Sequence, residues 1–138
     1  MKQEIARNIH HAGQHMFAIG PDEASEPFVY TIGNRERNLP ELLCIGRFPR
    51  HLIGMLLNQL GATQRERGTP YEAGIHDIGW SIPIKIRQCG PKACKDYTIQ
   101  AGVYYNVDIY PVTQVMLCDK NGHYQDDPAC EWGVVDQP

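Results

Sequence analysis

Two short apolar runs, each ending in glycine, constrain the fold of this chain more than any other feature. Residues 28–33 and 41–46 are rich in aromatic, β-branched and aliphatic side chains, and both are predicted to be strands. Leucine and isoleucine then recur at spacings of three and four from Leu52 to Leu60, which predicts a helix with one apolar face. Pro49 suits the start of that helix, where its missing N–H is not needed. We therefore expect two neighbouring strands backed by an apolar helix face.

The N-terminal part of the chain carries a helix pattern followed by a hairpin pattern. Residues 3–13 have apolar side chains at helical spacing and end in a glycine, the residue that most easily adopts the left-handed conformation after a helix. Two apolar runs, residues 15–19 and 27–33, flank a polar segment that contains glycine and proline. This arrangement predicts an antiparallel pair of strands joined by a turn.

The middle of the chain is less regular. Residues 68–79 are rich in turn-forming residues and are predicted to be irregular. Residues 80–87 alternate between apolar and polar side chains, which predicts a strand. Pro83 cannot donate to a strand ladder, so we expect this strand at an edge of the sheet, where it could pair with a copy of itself. Residues 91–105 fit a helix best, although their β-branched residues leave a strand open.

The C-terminal part completes the predicted architecture. Residues 110–118 are predicted to form a strand, residues 119–122 have the chemistry of a hairpin turn, and the polar tail at residues 126–138 is predicted to be irregular. We expect a single domain over residues 1–138, of the α+β class. Its mostly antiparallel sheet should have about five to six strands, with two to three helices covering one face.

Charge and hydropathy narrow the classes of partner. Thirteen Lys and Arg stand against sixteen Asp and Glu, the net charge is −3 and no basic block is present, so nucleic-acid binding is disfavoured. Residues 1–11 include charged side chains, and no long apolar run follows them, which argues against a signal peptide. The apolar stretch at residues 52–57 is far shorter than the roughly 20 residues of a membrane span. We expect a cytoplasmic protein that binds a small molecule, another protein or a second copy of itself.

Five cysteines occur at irregular spacings, and free thiols are the usual state of cysteines in the cytoplasm. Cys89 and Cys94 could join Cys118, His123 and Cys130 as zinc ligands. The gap between Cys89 and Cys94 is wider than in the usual zinc knuckle, so zinc is not expected. Cys94, between two lysines, is the best candidate for a thiol nucleophile. An idle thiol is the preferred interpretation.

None of the short motifs that mark phosphate loops, serine-hydrolase elbows, zinc proteases or dithiol sites occurs in the sequence. The leading interpretation is therefore a non-catalytic binding or regulatory module. The alternative is a protein that binds FMN or another small ligand, since the three strands and the following helix loosely resemble flavin reductase-type split barrels. Whether the protein is an enzyme stays open at this stage.

A ligand pocket is predicted where residues 28–33 end, because a hydroxyl, a glycine and an amide follow one another there and glycine permits close approach of a ligand. Aromatic side chains could contact a planar ring, although core packing is their more common role. In the flavin alternative, an arginine would face the phosphate. The predicted ligand-binding residues are Tyr30, Thr31, Gly33, Asn34, Arg47, Arg50, Trp80 and Tyr105.

The two apolar runs resemble the paired motif of the bacterial DUF4262 family. That motif is an aromatic-X-Tyr-Thr-hydrophobic-Gly strand followed by a Pro-Glu-Leu strand that ends in glycine. Asn34 and residues 123–126 depart from the family's pattern, and the resemblance covers about residues 16–138. Because the function of the family is unknown, the resemblance implies a fold and supplies no catalytic residues. Further segments resemble the family's pattern and follow one another in the same order along the chain: residues 56–58, 104–105, 111–115, 119–122 and 127–128.

Overall fold

The structure is a computed structural model that describes residues 1–21, 26–131 and 138. The helices are α1 Lys2–Ala12, α2 Arg50–Arg67, α3 Lys92–Asp96 and α4 Ile99–Tyr105, and a 3₁₀ turn spans Asn34–Arg37. The strands are β1 His15–Ile19, β2 Phe28–Ile32, β3 Glu41–Ile45, β4 Gly74–His76, β5 Ile84–Gln88 and β6 Val112–Leu117. None of the helices in the described ranges has the length and hydropathy that crossing a bilayer requires.

One sheet of six strands forms the centre of the molecule, in the order β1-β2-β3-β6-β5-β4. Every neighbouring pair is antiparallel except β3 and β6, which run parallel. A parallel pair needs a long crossover connection, and here the chain forms α2, β4, β5, α3 and α4 between the two strands. The predicted α+β class, with a mostly antiparallel sheet, is confirmed.

Apolar layers cover both faces of the sheet, so the expectation that helices cover one face is wrong. Leu42 and Cys44 of β3 belong to the layer that contains α2. Leu43 and Ile45 belong to the opposite layer, to which α1, α3 and α4 contribute. All residues of β3 and β6 are buried. Because these central strands carry apolar side chains in both directions, helices have to cover the sheet on both sides.

The apolar face of α2 is buried as its spacing predicts. Ile53, Leu56, Leu57 and Leu60 are each no more than 2% exposed and pack against the sheet. The helix begins at Arg50, with Pro49 as the residue before its first turn. It runs to Arg67, where Gly68 adopts a left-handed φ of 73° and closes it.

Two predictions about the strands of the middle segment are wrong. The strand predicted over residues 80–87 begins only at Ile84 and lies between β6 and β4, not at an edge. Pro83 precedes the strand, so its missing N–H costs no ladder hydrogen bond. The edge belongs to β4, which lies within the segment predicted to be irregular. With three residues, β4 is too short to produce a recognisable alternation.

The predictions for the C-terminal part of the chain are confirmed in part. Residues 91–105 are helical, but they form two short helices, α3 and α4, which are separated at Thr98. The predicted turn at residues 119–122 forms, and Gly122 N donates to Asp119 O at 3.0 Å. No strand follows it within residues 123–131, so the predicted hairpin is wrong. The tail beyond residue 131 lies outside the described residues, except for the last one.

Shortening Leu57 measures how much the packing of α2 contributes to stability. Leu57→Ala removes a fully buried side chain, and we expect the free energy of unfolding to fall by about 2–5 kcal/mol. Met55→Ala is the matched control on the same helix, because Met55 is 61% exposed, and it should change stability by less than about 0.5 kcal/mol. Urea unfolding followed by circular dichroism gives both values. Equal losses in the two variants would contradict this packing.

Candidate functional site

A buried carboxylate lies at the start of β3. Glu41 has no exposed surface, which is rare for a glutamate unless partners surround it. Six donors surround its two oxygens. Thr31 Oγ1 donates to Oε1 at 2.9 Å, and Asn34 donates to it through both N and Nδ2 at 3.3 Å. Gly33 N, Arg35 N and Tyr105 Oη donate to Oε2 at 3.1, 3.0 and 2.5 Å.

The backbone after β2 is shaped to supply these donors. At Gly33, φ is 130°, and the 3₁₀ turn that follows brings three successive backbone N–H groups to one carboxylate, an arrangement that binds anions. A Cβ at this position would lie 2.9 Å from Ile9 Cγ1 and 3.1 Å from Gly13 O. Both the conformation and the close contact with α1 therefore require glycine.

The polar network continues from Glu41 to α2. Asn34 Nδ2 donates to Gln14 Oε1 at 3.0 Å. Arg65 Nη1 donates to Gln14 Oε1 at 2.7 Å and to Asn34 Oδ1 at 2.8 Å. Burial lowers the pKa of Arg65 and the nearby Arg37 lowers it further, whereas the negative charge of Glu41 raises it. The network thus ties the end of α1, the 3₁₀ turn and α2 together around one buried charge.

Tyr105 closes the network from α4. Its hydroxyl donates to Glu41 Oε2 and accepts from Gly33 N at 2.5 Å. Burial raises the pKa of Tyr105 above its usual range, and the charge of Glu41 and the hydrogen bond to it raise it further. The guanidinium of Arg35 lies over its ring, 5.8 Å from the centroid. Tyr105 therefore remains a neutral donor under all ordinary conditions.

An open groove lies beside this network, between α1 and the 3₁₀ turn, and we call it the α1 groove. Its volume is about 320 Å³. It shares Gly33 with the Glu41 network, so the hydrogen bonds described above hold one of its walls in place. Two oppositely charged neighbours, Glu36 and Arg37, are exposed in this wall. The lining residues are Ala6, Ile9, His10, Gly13, Gly33, Glu36, Arg37 and Tyr104.

Half of the residues predicted to bind a ligand meet at Glu41. Thr31, Gly33 and Asn34 surround it from the end of β2 and the 3₁₀ turn, and Tyr105 reaches it from α4. Thr31 and Asn34 have no exposed surface, so they shape the wall from inside and do not line the groove.

Tyr30, although next to these residues in sequence, belongs to the core. It is 1% exposed, and its ring stacks on Phe17 and Phe28 at centroid distances of 5.7 and 6.1 Å. Its hydroxyl accepts a hydrogen bond from Gln100 N at 3.1 Å, which satisfies it without a ligand.

The remaining three predicted residues lie away from the network. Arg47 and Arg50 follow β3, at the end of the strand opposite to Glu41. Arg47 forms an exposed ion pair with Glu26, with Nε and Oε2 3.1 Å apart. Trp80 packs on the α2 layer, and its Nε1 donates to Gln59 Oε1 at 2.8 Å.

The cysteines do not gather into a site among the described residues. None of the five cysteines forms a disulfide, and no group of three His, Cys, Asp or Glu residues in the described ranges is arranged to hold a metal ion. Burial raises the pKa of Cys44 to about 12 and that of Cys89 to about 11. Cys94 is 8% exposed, and its Sγ donates to Tyr110 O at 3.2 Å.

Sequence reasoning missed Glu41, Gln14 and Arg65, the charged and polar centre of the network. One signal was present in the sequence. A glutamate that directly opens a run of apolar residues has to be buried with them if the strand is central, and a buried carboxylate needs donors. No comparable signal marks Gln14 or Arg65.

A comparison with family models gives one match to this chain. The model described as "Domain of unknown function (DUF4262)" matches residues 8–131, a range that includes the whole Glu41 network and the C-terminal half of α1, residues 8–12. The resemblance stated from the paired motif is thereby confirmed. No curated protein and no solved structure matches the chain.

Replacing the buried carboxylate by an amide tests its role in the network. Glu41→Gln removes the charge and places an N–H₂ group against donors, so we expect the free energy of unfolding to fall by about 2–4 kcal/mol. Glu36→Gln, an exposed change in the adjacent turn, is the control and should cost less than about 0.5 kcal/mol. Thermal and urea unfolding give the values, and hydrogen exchange should accelerate at Gly33 and Arg35 in the first variant only. Unchanged exchange there would contradict the role assigned to Glu41.

Alkaline pH tests the half-buried phenol of Tyr105. Because folding raises the pKa of Tyr105, its stabilising effect is complete below about pH 10, the pKa of a tyrosine in an unfolded chain. Above that pH the unfolded chain loses the proton while the folded protein keeps it, so stability falls. In Tyr105→Phe, the free energy of unfolding should fall less steeply with pH, by up to about 1.4 kcal/mol per pH unit. Urea unfolding between pH 9 and about pH 11.5 measures the two slopes, and equal slopes would contradict the assignment.

Proposed function

The chain belongs to the family described as a domain of unknown function, DUF4262, and we propose that it is a cytoplasmic, non-catalytic binding module. Its ligand in this proposal is a small zwitterion, a molecule with one carboxylate and one ammonium group, bound in the α1 groove. None of the five cysteines forms a disulfide, which is compatible with the reducing conditions of the cytoplasm.

The observation that carries this proposal is the pair of opposite charges in the groove wall. Glu36 and Arg37 are adjacent and exposed, and neither takes part in an ion pair within the described residues. Arg37 matches a carboxylate because its guanidinium can donate two parallel hydrogen bonds, and Glu36 matches an ammonium group. Ala6 and Ile9 offer an apolar surface to the rest of the ligand. The volume of about 320 Å³ is at the small end for ligand sites.

The chemistry beside the groove favours binding over catalysis. The oxygens of Glu41 already accept six hydrogen bonds, so this carboxylate has no free acceptor site for a substrate proton. Tyr105 directs its own proton to Glu41. Both groups therefore hold the wall of the groove in a fixed shape, which reduces the entropy lost on binding.

The flavin alternative has less support. A flavin that contacts Thr31 and Asn34 would have to reach side chains with no exposed surface. Its phosphate would have to meet Arg47 or Arg50 at the far end of β3. These residues share no surface on which one ligand could lie.

Amide chemical-shift titration tests the zwitterion proposal. Glycine and L-alanine, added to the labelled protein up to about 20 mM, should shift the amides of Gly13, Gly33 and Arg37, with half-saturation on the order of 1 mM. Acetate and methylammonium, each with one of the two charges, should bind at least about fivefold more weakly. If acetate binds as well as glycine does, the ligand class is wrong. If none of the four probes shifts these amides, the groove is not the binding site.

Two arginine variants provide the matched comparison. Arg37→Gln removes the proposed carboxylate partner and should weaken glycine binding by about tenfold, the usual effect of losing roughly 1.4 kcal/mol. Arg47→Gln removes a charge that is also exposed but is remote from the groove, and it should leave binding unchanged. Equal weakening in both variants would indicate a general charge effect and contradict a specific site.

A further inference from the structure

The aromatic ring of Tyr104 forms part of the α1 groove, beside the two charges of its wall. Tyr104 belongs to α4 and lines the groove together with Glu36 and Arg37 of the 3₁₀ turn. It is half-buried and packs against the apolar layer that contains α1. Its ring contacts the ring of Tyr105 edge to face, with the two centroids 5.3 Å apart. Because Tyr105 bonds to Glu41, this contact holds the Tyr104 ring in place at the groove.

The carboxylate of Glu36 and the ring of Tyr104 can act on the same part of a ligand. Burial raises the pKa of Tyr104, and the negative charge of Glu36 raises it further, which indicates that the carboxylate and the phenol are neighbours. The cation–π contacts among the described residues involve other tyrosines, so no cation of this part of the chain lies over the Tyr104 ring. An ammonium group bound to Glu36 would therefore also lie beside an aromatic ring that is available to it.

The groove has room for an ammonium group that carries methyl groups. Its volume is about 320 Å³, and glycine alone would leave most of this space to water. The side chains of Ala6 and Ile9 line the groove from α1, and water gains little from contact with such apolar surface. Methyl groups on the nitrogen would replace that water and gain contacts with Ile9 and with the Tyr104 ring.

We propose that the zwitterion bound in the α1 groove carries a methylated ammonium group, with trimethylglycine as the simplest member of the class. This inference rests on the proposed zwitterion binding by the groove and specifies its ligand. A quaternary ammonium group cannot donate hydrogen bonds, and aromatic rings attract it through the negative face of their π-system. In the bound state, Glu36 attracts the positive charge, the Tyr104 ring contacts the methyl groups and Arg37 binds the carboxylate.

Methylation of the ligand tests this inference in the unaltered protein. In amide chemical-shift titrations that follow Gly13, Gly33 and Arg37, trimethylglycine should bind about three- to fivefold more tightly than glycine, the effect of one cation–π contact at a partly exposed site. The isostere tert-butylacetate has the same shape and the same carboxylate, but carbon replaces the charged nitrogen. It should bind at least about fivefold more weakly than trimethylglycine does. If the isostere binds as tightly as trimethylglycine, contact with a cation is not what the groove selects, and the inference is overturned.

Two leucine variants test the role of the ring. Tyr104→Leu keeps the apolar bulk and removes the ring, so the preference for trimethylglycine over glycine should fall to less than about 1.5-fold. Tyr97→Leu is the matched control, because Tyr97 is also half-buried and packs against the same apolar layer but is not part of the groove lining. It should keep a preference of about three- to fivefold. A preference that survives in Tyr104→Leu, or that both variants lose equally, would overturn the role of the ring.

The titrations of the unaltered protein also separate a failure of this inference from a failure of the proposed function. If glycine shifts the three amides and trimethylglycine binds no more tightly, the groove binds zwitterions without selecting methylated ones, and only this inference is wrong. If neither molecule shifts the amides, the groove is not the binding site, and both proposals are wrong.

Discussion

The buried carboxylate of Glu41 is the constraint on which the rest of this structure depends. A charge without exposed surface is stable only if hydrogen bonds replace the water it has lost, since desolvation alone costs several kcal/mol. The donors come from the end of β2, from the 3₁₀ turn and from α4. If any of these segments moved away, it would leave part of the charge unpaired. The carboxylate therefore couples segments that are distant in sequence.

Two surfaces of different character depend on this coupling. The α1 groove has one wall formed by the 3₁₀ turn, which the hydrogen bonds to Glu41 hold in shape. The second surface is the exposed side of α4, the helix whose last residue, Tyr105, bonds to the same carboxylate. Thus α4 presents Ile99 and Val103 outwards while it buries Ala101 against the sheet. One small helix serves both the interior network and the exterior of the molecule.

Local sequence patterns predicted those helices and strands that depend on neighbouring residues alone. The apolar composition of β1, β2 and β3 and the three-four spacing of α2 reflect which side chains are buried, so they are visible in the sequence. The parallel pairing of β3 with β6 and the cover on both faces were not predicted, because they depend on how a long crossover returns to the sheet. The edge position of β4 was missed because three residues carry no period.

The sequence by itself determined the strand that contains Thr31, the glycine that follows it at position 33 and the apolar face of α2, since each follows from the conformational preferences of neighbouring residues. Only the tertiary structure decided that Glu41 accepts their hydrogen bonds and that Tyr105, 64 residues away in sequence, completes the set. It also decided that Arg47, Arg50 and Trp80 lie elsewhere. The physical reason is that a buried charge is satisfied by whichever donors the fold brings within about 3 Å, and sequence separation does not reveal that distance.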